Sequence, residues 1–181
     1  AAAFAAARQL EQEPGAHWQY ASGTTNILSL VLRRALDRAG VDYHAFPQEA
    51  LFSPLGMNSA VFETDAAGTY MGSSFMYASA RDWARFAQSV MPDGAWMRWA
   101  RAPTPQSPEG CYGAHWWLKL PEALGGDGGI PPDAFHALGH EGQCLSLIPS
   151  RGLVVVRLGL SIYLDAWDHA AFLRRVLAAL K

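Results

Sequence analysis

Residues 143–160 read QCLSLIPSRGLVVVRLGL, and this stretch decides the fold class. Two apolar runs, Gln143 to Ile148 and Leu153 to Leu160, flank Pro149-Ser150-Arg151-Gly152. Each run has strand length, and the second is dense in valine. The four residues between them are turn formers, so the pair reads as an antiparallel hairpin. The second run is apolar on both faces except at Arg157, which predicts a strand covered on both sides.

Working outward, the chain before the hairpin is mainly helical in pattern. Ala2 to Gln12 is a helix candidate built of strong helix formers, broken by Pro14-Gly15. A second helix follows, capped by Thr24 or Thr25. Ile27, Leu28, Val31, Leu32, Ala35 and Leu36 fall at helical spacing on one face of it, and Gly40 ends it. A third fits Ala45 to Leu51 and stops near Pro54. Ser79-Ala80-Arg81-Asp82 has the form of a capping box opening a helix with Trp83, Phe86, Ala87 and Val90 inward. Tyr112 to Leu120, dense in aromatics, reads as a strand. Beyond the hairpin, Asp165 is the expected cap of a last helix that buries Phe172, Leu173, Val176, Leu177 and Leu180. Helices, then an antiparallel hairpin, then one helix make an α+β (mixed α/β) fold.

Composition narrows the function. The 181 residues carry a formal charge of −2, with no basic stripe for nucleic acid and no polybasic patch for an anionic membrane. No apolar run approaches the roughly 18 residues that a transmembrane helix needs. The Ala-rich start is a poor signal peptide, and the compartment, periplasmic or cytoplasmic, stays open. Without an initiator Met, the chain is expected to begin inside a longer protein. Cys111 and Cys144 read as two unpaired thiols, since two cysteines do not define a framework. His136 and His140 have helical spacing, but neighbouring glycines spoil the helix, so no metal site is expected. There is no phosphate loop and no Gly-x-Ser-x-Gly elbow.

Two local signatures remain. One is Tyr20-Ala21-Ser22-Gly23, set between the Pro14-Gly15 break and an amphipathic helix. The other is His140-Glu141-Gly142-Gln143, leading into the hairpin. With Pro54-Leu55-Gly56-Met57 and Ser79-Ala80-Arg81-Asp82, in this order over nearly the whole chain, they resemble the penicillin-recognising, β-lactamase-like serine hydrolases. The nearest likeness is to the nylon-oligomer (6-aminohexanoate-dimer) hydrolases and class C-like esterases. The resemblance implies an antiparallel sheet flanked by helices, with residues 1–181 as the C-terminal portion of one such domain and no cofactor.

In that family a Ser-x-x-Lys nucleophile, a Tyr-x-Asn/Ser loop and a Lys-Thr-Gly or His-x-Gly triad on an edge strand meet in one cleft. Tyr20-Ala21-Ser22 matches the second motif and His140-Glu141-Gly142 the third. The first is absent: three positions before Lys119 and Lys181 stand Trp116 and Ala178. The nucleophile is therefore expected in a missing N-terminal segment of the same protein. Family members also have a longer surface segment between Met91-Pro92-Asp93-Gly94 and Ala102-Pro103-Thr104-Pro105.

The resemblance implies a role for each matching residue. Tyr20 shares proton transfer with the lysine. Ser22 offers its hydroxyl to the substrate amide, and His140 positions substrate. Gly142 lets substrate lie along the strand, and the backbone N–H of Gln143 is half of an oxyanion hole. A small linear amide or short ester is the expected substrate, because Tyr-x-Ser and His-x-Gly replace the Tyr-x-Asn and Lys-Thr-Gly of efficient β-lactamases. Plainer readings stand beside these. Tyr20 could be simply a half-buried aromatic, Ser22 a helix-start hydrogen-bonder, and His140 a turn residue. A non-catalytic binding protein or an inactive fragment on the same fold is the alternative function.

Overall fold

The computed structural model describes residues 1–163 and 166–180. The element order is the expected mixed α/β one, in two compact units, Ala1–Arg85 and Phe86–Lys181.

The first unit is organised by α2 (Ser22–Arg38). Its start lies earlier than either threonine, with Ala21 extended before it and no side-chain cap. At its other end the Gly40 N–H donates to the Asp37 carbonyl and the Val41 N–H to the Leu36 carbonyl, with Gly40 at φ +68. This is the paired closure that a left-handed glycine permits. The short α1 (Ala2–Ala6) packs against α2, where a Cβ on Gly23 would lie 3.5 Å from Ala5 Cβ. The helix pattern from Arg8 to Gln12 is not realised; those residues are exposed, and without a packed face so short a helix is marginal.

Apart from Leu36, the apolar face of α2 is largely exposed. Leu28, Val31 and Leu32 are 49%, 53% and 45% exposed, and Ala35 is exposed as well. The packed stripe is instead Asn26, Ser29, Arg33 and Leu36. Asn26 Oδ1 accepts from the Ser73 N–H at 3.4 Å. Gly72 lies so close that a Cβ would sit 2.3 Å from Ser29 Oγ. Arg33 donates to the Ala67 carbonyl at 2.7 Å and to Thr69 Oγ1 at 3.0 Å. At Ser29 a small hydrogen-bonding residue is needed because the Gly72 backbone approaches too closely for a leucine there.

Further along, a widened turn Gln48–Phe52 runs into α3 (Ser53–Leu55), and Gly56 at φ +65 ends it. Pro54 sits inside the helix rather than stopping it. Lacking an N–H for the carbonyl four residues back, it is accommodated by the wide turn just upstream. Strands β1 (Val61–Phe62) and β2 (Met76–Tyr77) pair antiparallel. Helix α4 (Ala80–Val90) opens on the expected cap, the Ser79 hydroxyl accepting from the Asp82 N–H at 3.3 Å. Asp82, itself buried, accepts from the Ser59 N–H at 2.8 Å and from the Ser59 hydroxyl at 2.6 Å. Of the inward residues of α4, Ala87 is fully buried and Trp83, Phe86 and Val90 are half-buried.

The second unit adds α5 (Ala95–Ala100), which the sequence pattern did not reveal. The expected strand over Tyr112 to Leu120 is instead a chain folded back on itself. Tyr112 bridges Trp117, Trp117 bridges His136, and His115 turns at φ +64. Gly113 makes this possible, since a Cβ there would lie 2.3 Å from the Ala100 carbonyl oxygen. Beyond it, β3 (Phe135–Leu138), β4 (Cys144–Ile148) and β5 (Leu153–Arg157) form an antiparallel sheet in that order. The hairpin is present, although its second strand ends at Arg157 and not at Leu160; β3 was not anticipated, and it reverses the burial argument. Every residue of the middle strand β4 is buried, whereas in β5 only Val155 is. Helix α6 (His169–Ala179) begins after Asp168, whose carboxylate accepts from the Ala171 N–H at 2.7 Å. The expected cap, Asp165, lies outside the described residues. Leu173 is fully buried with Leu120, Val155 and Ala170, Phe172 and Val176 pack on that cluster, and Leu180 is exposed.

The second unit also has a polar interior. Ser146 on β4, His136 on β3 and His169 on α6 are all fully buried. Ser146 Oγ lies 2.7 Å from His136 Nδ1 and 2.8 Å from His169 Nε2. The Trp167 indole N–H donates to His169 Nδ1 at 3.3 Å. That donor fixes the tautomers in sequence: His169 carries its proton on Nε2 and gives it to Ser146 Oγ, and Ser146 donates to His136 Nδ1. His136 then holds its proton on Nε2, which has no hydrogen-bond partner among the described residues. Burial holds both imidazoles neutral, pushing His136 down to about 3 and His169 down to about 4.

The consequence for stability has a definite sign. Between the ordinary histidine range near 6.5 and these depressed values, the unfolded chain binds protons that the folded chain refuses. Stability is therefore full above about pH 6.5 and falls as pH drops towards 4. Denaturation midpoints measured from pH 7.5 to pH 5 should decrease steadily, and His169→Gln should flatten the slope. A midpoint independent of pH over that window in the parent protein would contradict the buried, neutral pair.

Candidate active site

The two signatures fall in different units, and each is built locally. In the first unit, Glu13-Pro14-Gly15-Ala16 makes a tight turn. The Ala16 N–H donates to the Glu13 carbonyl at 3.0 Å, and Gly15 takes φ +83. Proline followed by a positive-φ residue is the chemistry of a type II turn. The chain leaves it as an arm without helix or strand through His17 to Ala21, extended at Ala21, and then becomes α2. Tyr20 stands on this arm, 55% exposed, and Ser22 is the exposed first residue of α2. The phenol is thus presented on a short arm anchored at both ends rather than packed into a core.

In the second unit, His140-Glu141-Gly142 is not on a strand. It is the turn joining β3 to β4, closed by the Gly139 N–H on the Gln143 carbonyl at 2.8 Å. Its backbone is unusual: Glu141 at φ 55 and Gly142 at φ 83 are consecutive left-handed residues. An L-residue in that region is disfavoured, so this conformation needs outside support. The support comes from β5 and the segment after it. The Ser161 N–H donates to the Glu141 carbonyl at 2.9 Å. Arg157 Nη1 donates to the Gly142 carbonyl at 2.7 Å. Gln143 grips the backbone of Gly159 with both ends of its amide, Oε1 accepting from the Gly159 N–H at 2.9 Å and Nε2 donating to the Gly159 carbonyl.

Within the turn, the His140 ring is 92% exposed, with Nε2 3.4 Å from a Glu141 carboxylate oxygen. The Gln143 N–H makes only a 3.4 Å contact with the His140 carbonyl, longer than an ordinary backbone bond. It is therefore still a donor for another acceptor. The reason for glycine at position 142 differs from the expected one. A Cβ there would lie 2.5 Å from Arg157 Nη1 and 3.1 Å from Ser161 Cβ, so the space is taken by the protein itself rather than left for a substrate.

Elsewhere, Cys144 and Cys111 are free thiols, and burial pushes Cys144 up to about 11, which keeps it protonated. Among the described residues no group of three His, Cys, Asp or Glu could hold a metal ion. Also among them, no helix is long and apolar enough to cross a membrane. Sequence reasoning passed over Ser146 and His169, and it met Arg157 only as the polar exception in an apolar run. That exception was the available signal, because a cation in such a run must find buried acceptors.

An α/β chain with a terminal antiparallel sheet entered through a His-Glu-Gly turn, and a Tyr-Ala-Ser arm leading into a helix, has the form of a β-lactamase-like hydrolase fold. The family model described as Beta-lactamase matches residues 1–161, and the chain belongs to that family. Solved structures agree on the fold. A candidate beta-lactamase from Bacteroides dorei DSM 17855 aligns at TM-score 0.63 and 17% identity over 96% of this chain and 61% of its own. A candidate 6-aminohexanoate-dimer hydrolase from Bacillus anthracis aligns at TM-score 0.69 and 22% identity, covering 95% of this chain and 46% of its own. A beta-lactamase from Mycobacterium bovis aligns at TM-score 0.70 and 19% identity, covering 95% and 68%. The chain thus spans about half to two thirds of the length of these relatives. No curated protein matches it.

The contact at Gly142 can be measured. Gly142→Ala meets both the left-handed backbone cost, about 1–2 kcal/mol, and the Arg157 guanidinium. Gly152→Ala, at φ +55 with nothing within 4 Å, meets only the backbone cost. Urea denaturation should show Gly142→Ala losing clearly more stability than Gly152→Ala. Equal losses would mean that the Arg157 guanidinium moves aside at no measurable cost.

Proposed function

We propose that these residues form the C-terminal part of a serine hydrolase that cleaves a small linear amide or a short ester through an acyl-enzyme. The observation that carries this reading is the family match over residues 1–161, which takes in both the Tyr20-Ala21-Ser22 arm and the His140-Glu141-Gly142 turn.

A serine hydroxyl attacks the substrate carbonyl, and its proton passes to a base while the carbonyl oxygen becomes an oxyanion. The same proton then goes to the leaving amine or alcohol as the carbon–nitrogen or carbon–oxygen bond breaks, leaving a serine ester. Water repeats the sequence to release the acid and restore the serine. In this reading the serine and its partner lysine belong to a Ser-x-x-Lys segment of the parent protein outside the 181 residues. Tyr20 relays the proton, Ser22 holds the substrate amide, and His140 lies beside the substrate. The Gln143 N–H donates to the oxyanion. The exposure of the Tyr20 phenol and the weakly engaged Gln143 N–H support these assignments.

The test uses the complete parent protein. A fluorophosphonate probe should label a serine outside the 181 residues, and labelling within them contradicts the assignment. Tyr20→Phe should leave folding nearly unchanged, by about 1 kcal/mol, and lower kcat about 10²-fold or more for an amide dimer and for p-nitrophenyl acetate. His140→Ala should act chiefly on KM. A Tyr20→Phe protein that folds and keeps kcat within about threefold of the parent has lost well under 1 kcal/mol of barrier, and the relay role is then wrong.

A further inference from the structure

The second unit places a guanidinium where it governs one peptide bond. Arg157 is the last residue of β5, and its guanidinium reaches both the His140–Gln143 turn and the segment after β5. Nη1 donates to the Gly142 carbonyl at 2.7 Å and lies 3.4 Å from the Glu141 carbonyl and 3.2 Å from the Gly159 carbonyl. Nη2 donates to Ser161 Oγ at 2.7 Å. The guanidinium carbon lies 4.6 Å from the centre of the Trp167 ring, whose indole N–H is in turn fixed on His169. Strand, tryptophan and serine together hold the cation in one place, and its described partners are neutral oxygens and a ring.

The Gly142 carbonyl and the Gln143 N–H are the two ends of one peptide unit. In a trans peptide they point in opposite directions, and a charge drawing on the oxygen makes the N–H a stronger donor. The Cys144 thiol, 3.4 Å from the same carbonyl, completes the acceptor side. With that side held by β4 and β5, the N–H side is aimed the other way, towards its long contact with the His140 carbonyl. The conformation is one that the turn does not hold for itself, given two consecutive left-handed residues, one of them Glu141. The glycine at 142 then has its reason, since any side chain would displace the cation.

We infer that Arg157 is a positioning residue: it fixes and polarises the Gly142–Gln143 peptide so that the Gln143 N–H is presented to an oxyanion. This rests on the hydrolase reading above, and goes beyond it by assigning the residue that prepares the donor. A planar fork does this better than a point charge, because it reaches the turn carbonyls and Ser161 at once. The expected order is therefore Arg157, then Lys, then Met.

The experiment compares the complete parent protein with Arg157→Lys and Arg157→Met in p-nitrophenyl acetate hydrolysis, and follows the Gln143 backbone amide by 15N resonance and hydrogen exchange. Removing one oxyanion donor outright costs about 10²–10³ in kcat, so misaiming it should cost about tenfold or more in Arg157→Met. KM should stay within about threefold, Arg157→Lys should fall between, and the Gln143 amide should shift in both variants. If Arg157→Met does not fold, Arg157→Lys carries the same two measurements. A folded variant with kcat within about threefold of the parent, or with its loss entirely in KM, overturns the inference and leaves the hydrolase reading intact. A parent that neither hydrolyses the ester nor reacts with fluorophosphonate ends the hydrolase reading. In that case the Gln143 amide alone decides whether Arg157 polarises the peptide, and an unmoved resonance overturns that too.

Discussion

Complete burial of β4 is the constraint on which the second unit turns. All five residues from Cys144 to Ile148 are out of water, with β3 on one side and β5 on the other. A strand so placed can carry a polar side chain only if its hydrogen bonds are met inside the protein. Ser146 is that side chain, and two buried histidines from two other elements meet it. The Trp167 indole that orders one of those histidines also lies under the Arg157 guanidinium. The polar core and the support of the His140–Gln143 turn are therefore one connected structure, and what shifts Trp167 bears on both.

The turn itself shows why a site needs neighbours. Taken alone, His140-Glu141-Gly142 has two left-handed residues and an exposed imidazole, a poor basis for precise chemistry. Its shape comes from hydrogen bonds donated by Ser161, Arg157 and Gln143, which link it to the end of β5 and the segment that follows. The Tyr20 arm is held differently. A Pro-Gly turn lies at its start and the first turn of α2 at its end. The His140–Gln143 turn is fixed by contacts up to 20 residues away in sequence.

Sequence patterns served best where local chemistry controls the outcome. The hairpin, observed over Cys144–Arg157, the Ser79 cap of α4, the Gly40 end of α2 and the Pro14-Gly15 break all follow from nearby residues, and all are present. They failed where packing chose between alternatives. In α2 the apolar period is present, but close backbone at Gly72 gives the packed position there to Ser29, where a leucine would not fit. Between the two hairpin strands, valine density pointed to β5 as the covered strand. The unanticipated β3 made β4 the middle one instead. The aromatic run from Tyr112 to Leu120 has strand composition, but a turn at Gly113–His115 breaks it.

By itself the sequence determined the mixed α/β class, the hairpin, the family likeness and the Tyr20 and His140–Gln143 motifs, because these depend on residue type, spacing and turn chemistry. Only the tertiary structure decided that β4 is the buried strand, that Gly142 makes room for Arg157, and that Ser146, His136 and His169 form one hydrogen-bonded core. Each of these depends on which atoms from distant segments occupy the same few ångströms. That is fixed by burial and hydrogen-bond satisfaction over the whole unit, and no local pattern encodes it.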